Sequence, residues 1–234
     1  MREDVRGRAD SAPRTGRLTK PGPGTGVAAG LSPDGEDEGH PRSIRSLEDV
    51  RADIVADPDN AWATARGYQP IYVAHPASRI VVIGQAPGRK AQESGVPWND
   101  VSGQRLIEWL GVDDATFRDP TRFAVLPMDF YYPGKGRHGD LPPRRGFASR
   151  WHPHILRAMP EVELTLLIGN YAQRHYLGEG GSLTATVCRF AEYLPSTLPL
   201  VHPSPLNFRW LAMNPWYETE VLPVLRRRVE AVLA

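Results

Sequence analysis

The 234 residues carry 41% apolar and 24% charged side chains, enough for one well-buried domain and short for two. A formal net charge of +1 neither indicates nor excludes nucleic acid, because a nearly neutral chain can gather its cations on one face. The single cysteine, Cys188, excludes an internal disulfide, a four-cysteine zinc site and a cysteine-ligated iron–sulfur cluster; it reads as a small buried apolar residue.

No run approaches the roughly 20 apolar residues of a membrane span, and the amino terminus has no apolar signal core. A protein without membrane contact is expected, cytoplasmic, and nucleoid-associated if bacterial. Residues 1–42 hold eight glycines, five prolines, seven Lys+Arg and seven Asp+Glu with no apolar face, which predicts a disordered tail before a domain spanning residues 43–234. From Ser46 the pattern changes: Glu48 and Asp49, then Val50, Ile54 and Val55, predict a capped helix ending before Pro58.

Four short apolar runs follow, at 79–84, 123–126, 164–169 and 198–201, each β-branched or aliphatic with little alternation, as strands covered on both faces are. Helices are predicted over 104–110, 148–159, 171–176 and near 215–233. Strands alternating with helices imply a parallel sheet flanked by helices, whose ligands bind beyond the carboxyl ends of the strands.

Two segments occupy such ends. After the first strand, Gly84-Gln85-Ala86-Pro87-Gly88 makes a stiff turn whose glycines permit close approach to a carbonyl oxygen or phosphate, or is simply a strand-to-loop turn. It has neither Walker nor dinucleotide spacing. After the fourth strand, His202-Pro203-Ser204-Pro205-Leu206 presents His202 and Ser204 from a doubly proline-braced segment. His202 is either a pocket donor or a strand-end histidine satisfied by a backbone carbonyl.

Together these segments resemble the two signature motifs of the uracil-DNA glycosylase superfamily, over roughly residues 79–233. The first looks like the Gly-Glu-Ala-Pro-Gly form of the iron–sulfur, family-four type, although the cluster cysteines are missing and no cofactor or metal is implied. Gly95-Val96-Pro97-Trp98, then Ser102-Gly103-Gln104 and Leu106, is similar to the stretch that supplies an aromatic stacking residue there. The second, His202-Pro203-Ser204-Pro205-Leu206, is identical to the start of that motif in the family's prototype enzymes.

The resemblance implies a three-layer α/β/α sandwich with a central four-stranded, mainly parallel sheet. It implies a monofunctional DNA glycosylase that releases uracil or a related deaminated or damaged base in base excision repair. Gln85, through its backbone, and His202 would face the base oxygen that gains charge, with Gly84, Ala86, Pro87 and Gly88 shaping the pocket. Trp98 would stack on the flipped base, while Ser204, Pro205 and Leu206 would grip phosphates and wedge the minor groove.

Three departures bear on this expectation. Ala86 stands where the prototype enzymes place a water-orienting Asp, Gln85 stands where the iron–sulfur type has Glu, and Pro127 falls where an Asn reads uracil's edge. Asp129 is the candidate substitute; an ionised carboxylate only accepts hydrogen bonds, and so favours a base with an amino group. Water activation falls to Glu93, Asn99 or Asp100, or is replaced by positioning and charge stabilisation.

Residues 134–157 carry Lys135, Arg137, Arg144, Arg145, Arg150 and Arg157 against one acid, Asp140, with Tyr131, Tyr132 and Trp151 interleaved. This reads either as a DNA-contacting surface or as a solvated loop. DNA is the expected partner, as a flipped base in duplex or single strand, bound by a monomer. The alternatives are a DNA-binding relative that has lost the chemistry, and a small-molecule enzyme using the same sheet edge.

Overall fold

Every side chain from Ile80 to Ile83 is buried, and the alternation of a strand sends neighbours to opposite faces. In this computed structural model, which describes residues 45–137, 139–178 and 181–234, strands form as β1 (Ile80–Ile83), β2 (Phe123–Val125), β3 (Lys135–Gly136), β4 (Gly139–Asp140), β5 (Leu164–Ile168) and β6 (Thr197–Leu200). The tail expected over residues 1–42 lies outside the described residues. Strands β2-β1-β5-β6 pair in that order, all parallel, with Ile80 opposite both Phe123 and Leu164, and Leu166 opposite Leu198. Pro199 interrupts no ladder of the sheet interior because β6 is an edge strand. Strands β3 and β4 form a separate antiparallel hairpin.

The helices are α1 (Leu47–Ala56), α2 (Ala61–Thr64), α3 (Arg89–Ser94), α4 (Val101–Leu110), α5 (Asp114–Arg118), α6 (Phe147–Arg157), α7 (Gly169–Leu177), α8 (Leu183–Cys188), α9 (Phe208–Met213) and α10 (Leu222–Leu233), the last continuing a π-helical turn at Tyr217–Val221. Ser46 caps α1 as expected, its hydroxyl accepting from the Asp49 amide at 3.1 Å. Ile80 and Val82 join a core with Leu106, Trp109, Leu225 and Val229 of α4 and α10. Val81 and Ile83 join the opposite core with Val50, Ile54, Trp151 and Ile155 of α1 and α6. Two apolar layers on one sheet make the three-layer α/β/α sandwich.

Cys188 departs from its expectation. It is exposed, and its neighbour Val187 turns into the core instead. No helix among the described residues is long and apolar enough to cross a membrane.

Candidate active site

Beyond the carboxyl ends of β1, β2 and β6 lies a cavity of about 450 Å³. Its floor is the turn from Gly84 to Gly88, its walls include Trp98, Asn99, Asp100, Ser102 and Pro127, and His202, Ser204, Leu206 and Asn207 close one side. The β3–β4 hairpin closes another with Lys135, Gly139 and Asp140. The first turn is tied to the loop after β2 by backbone: Met128 N–H donates to the Gly84 carbonyl at 2.9 Å, and Asp129 N–H to the Gln85 carbonyl at 3.2 Å. The Gln85 side chain is directed to the hairpin, its Nε2 donating to the Leu141 carbonyl at 3.2 Å.

Trp98 is held in a conformation that a side-chain-bearing residue rarely adopts, with φ at +55°. Three features impose it. The Arg118 guanidinium donates to the carbonyls of Pro97 and Trp98. Gly103 leaves space for the Trp98 carbonyl, which a Cβ there would overlap. At Gly84 a Cβ would stand 3.1 Å from the indole Cζ2, so the absent side chain lets the ring settle on the first turn. The indole ends beside His202, with ring centroids 5.4 Å apart and planes tilted by 34°.

His202 follows β6 and sits in a turn that polarises its ring. The Ser204 N–H donates to Nδ1 at 3.1 Å, and Asn207 Nδ2 donates to the His202 carbonyl at 2.7 Å. Burial pushes the imidazole pKa below its usual 6.5, opposed by the negative charge of Asp100. A neutral ring whose Nδ1 accepts must carry its proton on Nε2, so His202 offers one uncharged donor.

Asp100 caps α4, its Oδ1 accepting from the Gly103 amide at 2.9 Å, and it also lines the cavity. Asn99 lines it as well, with Nδ2 at 3.4 Å from Ser94 Oγ. Glu93 pairs with Arg89 on the surface and is not part of the lining. Ser204 Oγ accepts from the Leu206 amide at 3.2 Å, and Pro205 opens a single 3-10 turn at the rim. Leu206 is 81% exposed there and Phe208 62%.

Two of the expected site residues lie elsewhere. Asp129 is completely buried and spends both carboxylate oxygens internally: Oδ1 accepts from Tyr131 N and Arg144, and Oδ2 from Arg144 N and Nε. It cannot read a base edge. Arg144 is its partner at 2.7 Å and donates further to Asn60 Oδ1 and the Asp59 carbonyl, so its guanidinium is committed within the domain and lies outside the first cavity.

The expected interleaving of cations and aromatics is present only in part, with Tyr132 beside Arg144 in a second cleft. Tyr131 and Trp151 are buried, and Arg150 pairs with Asp57 at 2.8 Å. Lys135 does reach the cavity rim, 3.6 Å from Asp140, while Arg137 and Arg145 are exposed. Sequence reading missed Asn207, Ser102 and Asp140 as lining residues. It also missed Arg118, whose role depends on a contact 20 residues away that no local pattern signals.

A rigid indole and an imidazole meet at the carboxyl edge of an all-parallel sheet, over a turn of close-approaching backbone, beside a cavity of about 450 Å³. Fold and site thus define a parallel α/β domain with a ligand-sized pocket at the carboxyl edge of its sheet. The chain belongs to the Uracil DNA glycosylase superfamily, whose family model matches residues 70–226. A DNA glycosylase-like function comes with that membership.

Proposed function

We propose that the protein hydrolyses the N-glycosidic bond of uracil or a related deaminated base in DNA. The observation that carries this reading is the Nδ1 contact of His202, which leaves the proton of a neutral ring on Nε2 in a residue that lines the pocket. When the bond between the base nitrogen and C1′ breaks, the base keeps the bonding pair and negative charge spreads from that nitrogen to an exocyclic carbonyl oxygen. C1′ is left electron-poor and takes up water, which loses a proton. A fixed neutral donor stabilises that oxygen most when the charge is largest. Trp98 supplies a stacking face, and Leu206 and Phe208 at the rim can fill the space the everted base leaves.

Asp100 is the carboxylate best placed to orient the water, since one oxygen caps α4 and the other has no partner among the described residues. With Asp129 withdrawn, the edge of the base falls to the hairpin pair Lys135 and Asp140, a donor and an acceptor side by side. That pattern matches the adjacent carbonyl and ring N–H that deamination creates in uracil and hypoxanthine.

A second reading, a DNA-binding member without turnover, is favoured by Ala86, which lines the cavity with a methyl group where the prototype enzymes' water-orienting carboxylate would stand. Incubation with duplexes carrying uracil, hypoxanthine, xanthine or an alkylated base decides between them. Base release from the uracil or hypoxanthine duplex supports the enzyme. Tight binding of all four without release supports the silent member.

A further inference from the structure

The chain on either side of the β3–β4 hairpin lines a second cleft, of about 510 Å³, between Tyr132 and Leu141 on one wall and Trp62, Arg66 and Tyr68 on the other. We propose that this cleft is a second nucleobase site, which takes an unpaired base of the strand whose target base occupies the first cavity. The proposal rests on reading the first cavity as a DNA base pocket.

The first argument is rigidity. Trp62 is half-buried and clamped edge-on by Tyr68 at 6.5 Å and by Tyr131 at 5.9 Å, with the Arg144 guanidinium 5.7 Å from its ring. Arg144 is itself locked on Asp129 and Asn60. A prefixed aromatic platform loses little freedom when a base stacks on it, and stacking accepts any base.

The second is charge. Among the described residues no carboxylate lines the cleft. Asp129 already balances Arg144, whereas Arg66 is exposed, lies 5.3 Å over the Trp62 ring, and has no acidic partner among the described residues. An aromatic wall with one uncommitted cation complements a flat ring joined to a phosphate, and an apolar peptide would have no use for the cation.

The third is continuity. Leu141 lines the second cleft, while its carbonyl accepts from Gln85 of the first turn and its side chain packs at 3.2 Å from where a Gly136 Cβ would be. The hairpin walls the first site and the chain flanking it walls the second, so a strand leaving the first cavity across the hairpin meets the second.

The test uses single-stranded and duplex oligodeoxynucleotides whose target nucleotide is made uncleavable by 2′-fluorination, with each flanking base replaced in turn by an abasic residue. In the wild-type protein one flanking position is expected to weaken binding by about 5- to 150-fold when its base is removed, and the other positions little. In Arg66→Ala/Tyr68→Ala that positional penalty should vanish while the melting temperature stays within a few degrees. An equal penalty in both proteins, or none at any position, overturns the proposal.

It is also overturned if removing residues 1–44 lowers the melting temperature of the wild type but not of the variant, which would seat the chain's own segment in the cleft. Base release from unmodified duplex, measured in parallel, separates the two readings. Release without a positional penalty removes the second site alone, and neither release nor binding removes the base pocket with it.

Discussion

At the scale of single residues, the largest electrostatic commitment is the Asp129–Arg144 pair. A carboxylate with no exposure is tolerable only because Arg144 and two backbone amides surround it. Arg144→Ala leaves it uncompensated, and chemical denaturation should show a loss of about 3 kcal/mol or more, with base release per folded molecule little changed. If stability held and DNA affinity collapsed, Arg144 would be a phosphate contact after all.

His152 makes a second commitment. Its Nε2 donates to the Pro127 carbonyl at 3.0 Å, and its Nδ1 lies 2.6 Å from the Tyr176 hydroxyl. Burial depresses its pKa to about 4 from 6.5. The unfolded chain therefore binds a proton below pH 6.5 that the folded one refuses until about 4, so stability present above 6.5 is lost as pH falls through that window. The slope reaches up to about 1.4 kcal/mol per pH unit. The buried, neutral His202 shifts the same way, and its protonation replaces the Nδ1 acceptor with a second donor facing Ser204 N–H. Melting temperatures from pH 8 to 4 check the sign; a rise on acidification contradicts it. Neither residue role was readable beforehand: Asp129 carries no local mark of burial, and its partner lies 15 residues away.

At the scale of elements, α4 holds a glycine where a helix ordinarily prefers alanine by about 0.5–1 kcal/mol. Gly103 is there because the Trp98 carbonyl occupies the place of a Cβ. Gly103→Ala should reverse the usual sign, lowering the melting temperature and weakening DNA binding together as Trp98 leaves its positive-φ position. A stabilised protein with unchanged binding would show that the indole's setting is immaterial.

The sheet strands were predictable to within a residue or two, because four-to-five-residue runs such as Ile80–Ile83 and Leu164–Ile168 are apolar on both faces. The same burial says nothing of their order, nor of α3, α5, α8 and α9, which have only five or six residues and no sustained period. Strands of two residues leave no pattern either, so the β3–β4 hairpin was read as part of a basic loop. That hairpin reassigns the loop: Lys135 joins the site, while Arg144 and Arg150 turn to Asp129 and Asp57.

At the scale of the whole molecule, the two motif turns lie 114 residues apart in sequence yet adjoin, because β1 and β6 run parallel and end at the same sheet edge. The balanced charge of residues 1–42 and their lack of an apolar face predict that a chain beginning near Ser43 keeps the full melting temperature. A large loss would mean that the segment packs on the domain.

The claim on which the rest depends is that His202 stabilises charge on a departing base. Single-turnover base release by His202→Ala, with DNA affinity and melting temperature measured alongside, tests it most directly. We expect release slowed by about a hundred- to a thousandfold with affinity nearly unchanged, as for the loss of one preorganised donor. Release near the wild-type rate from a folded variant would contradict the account.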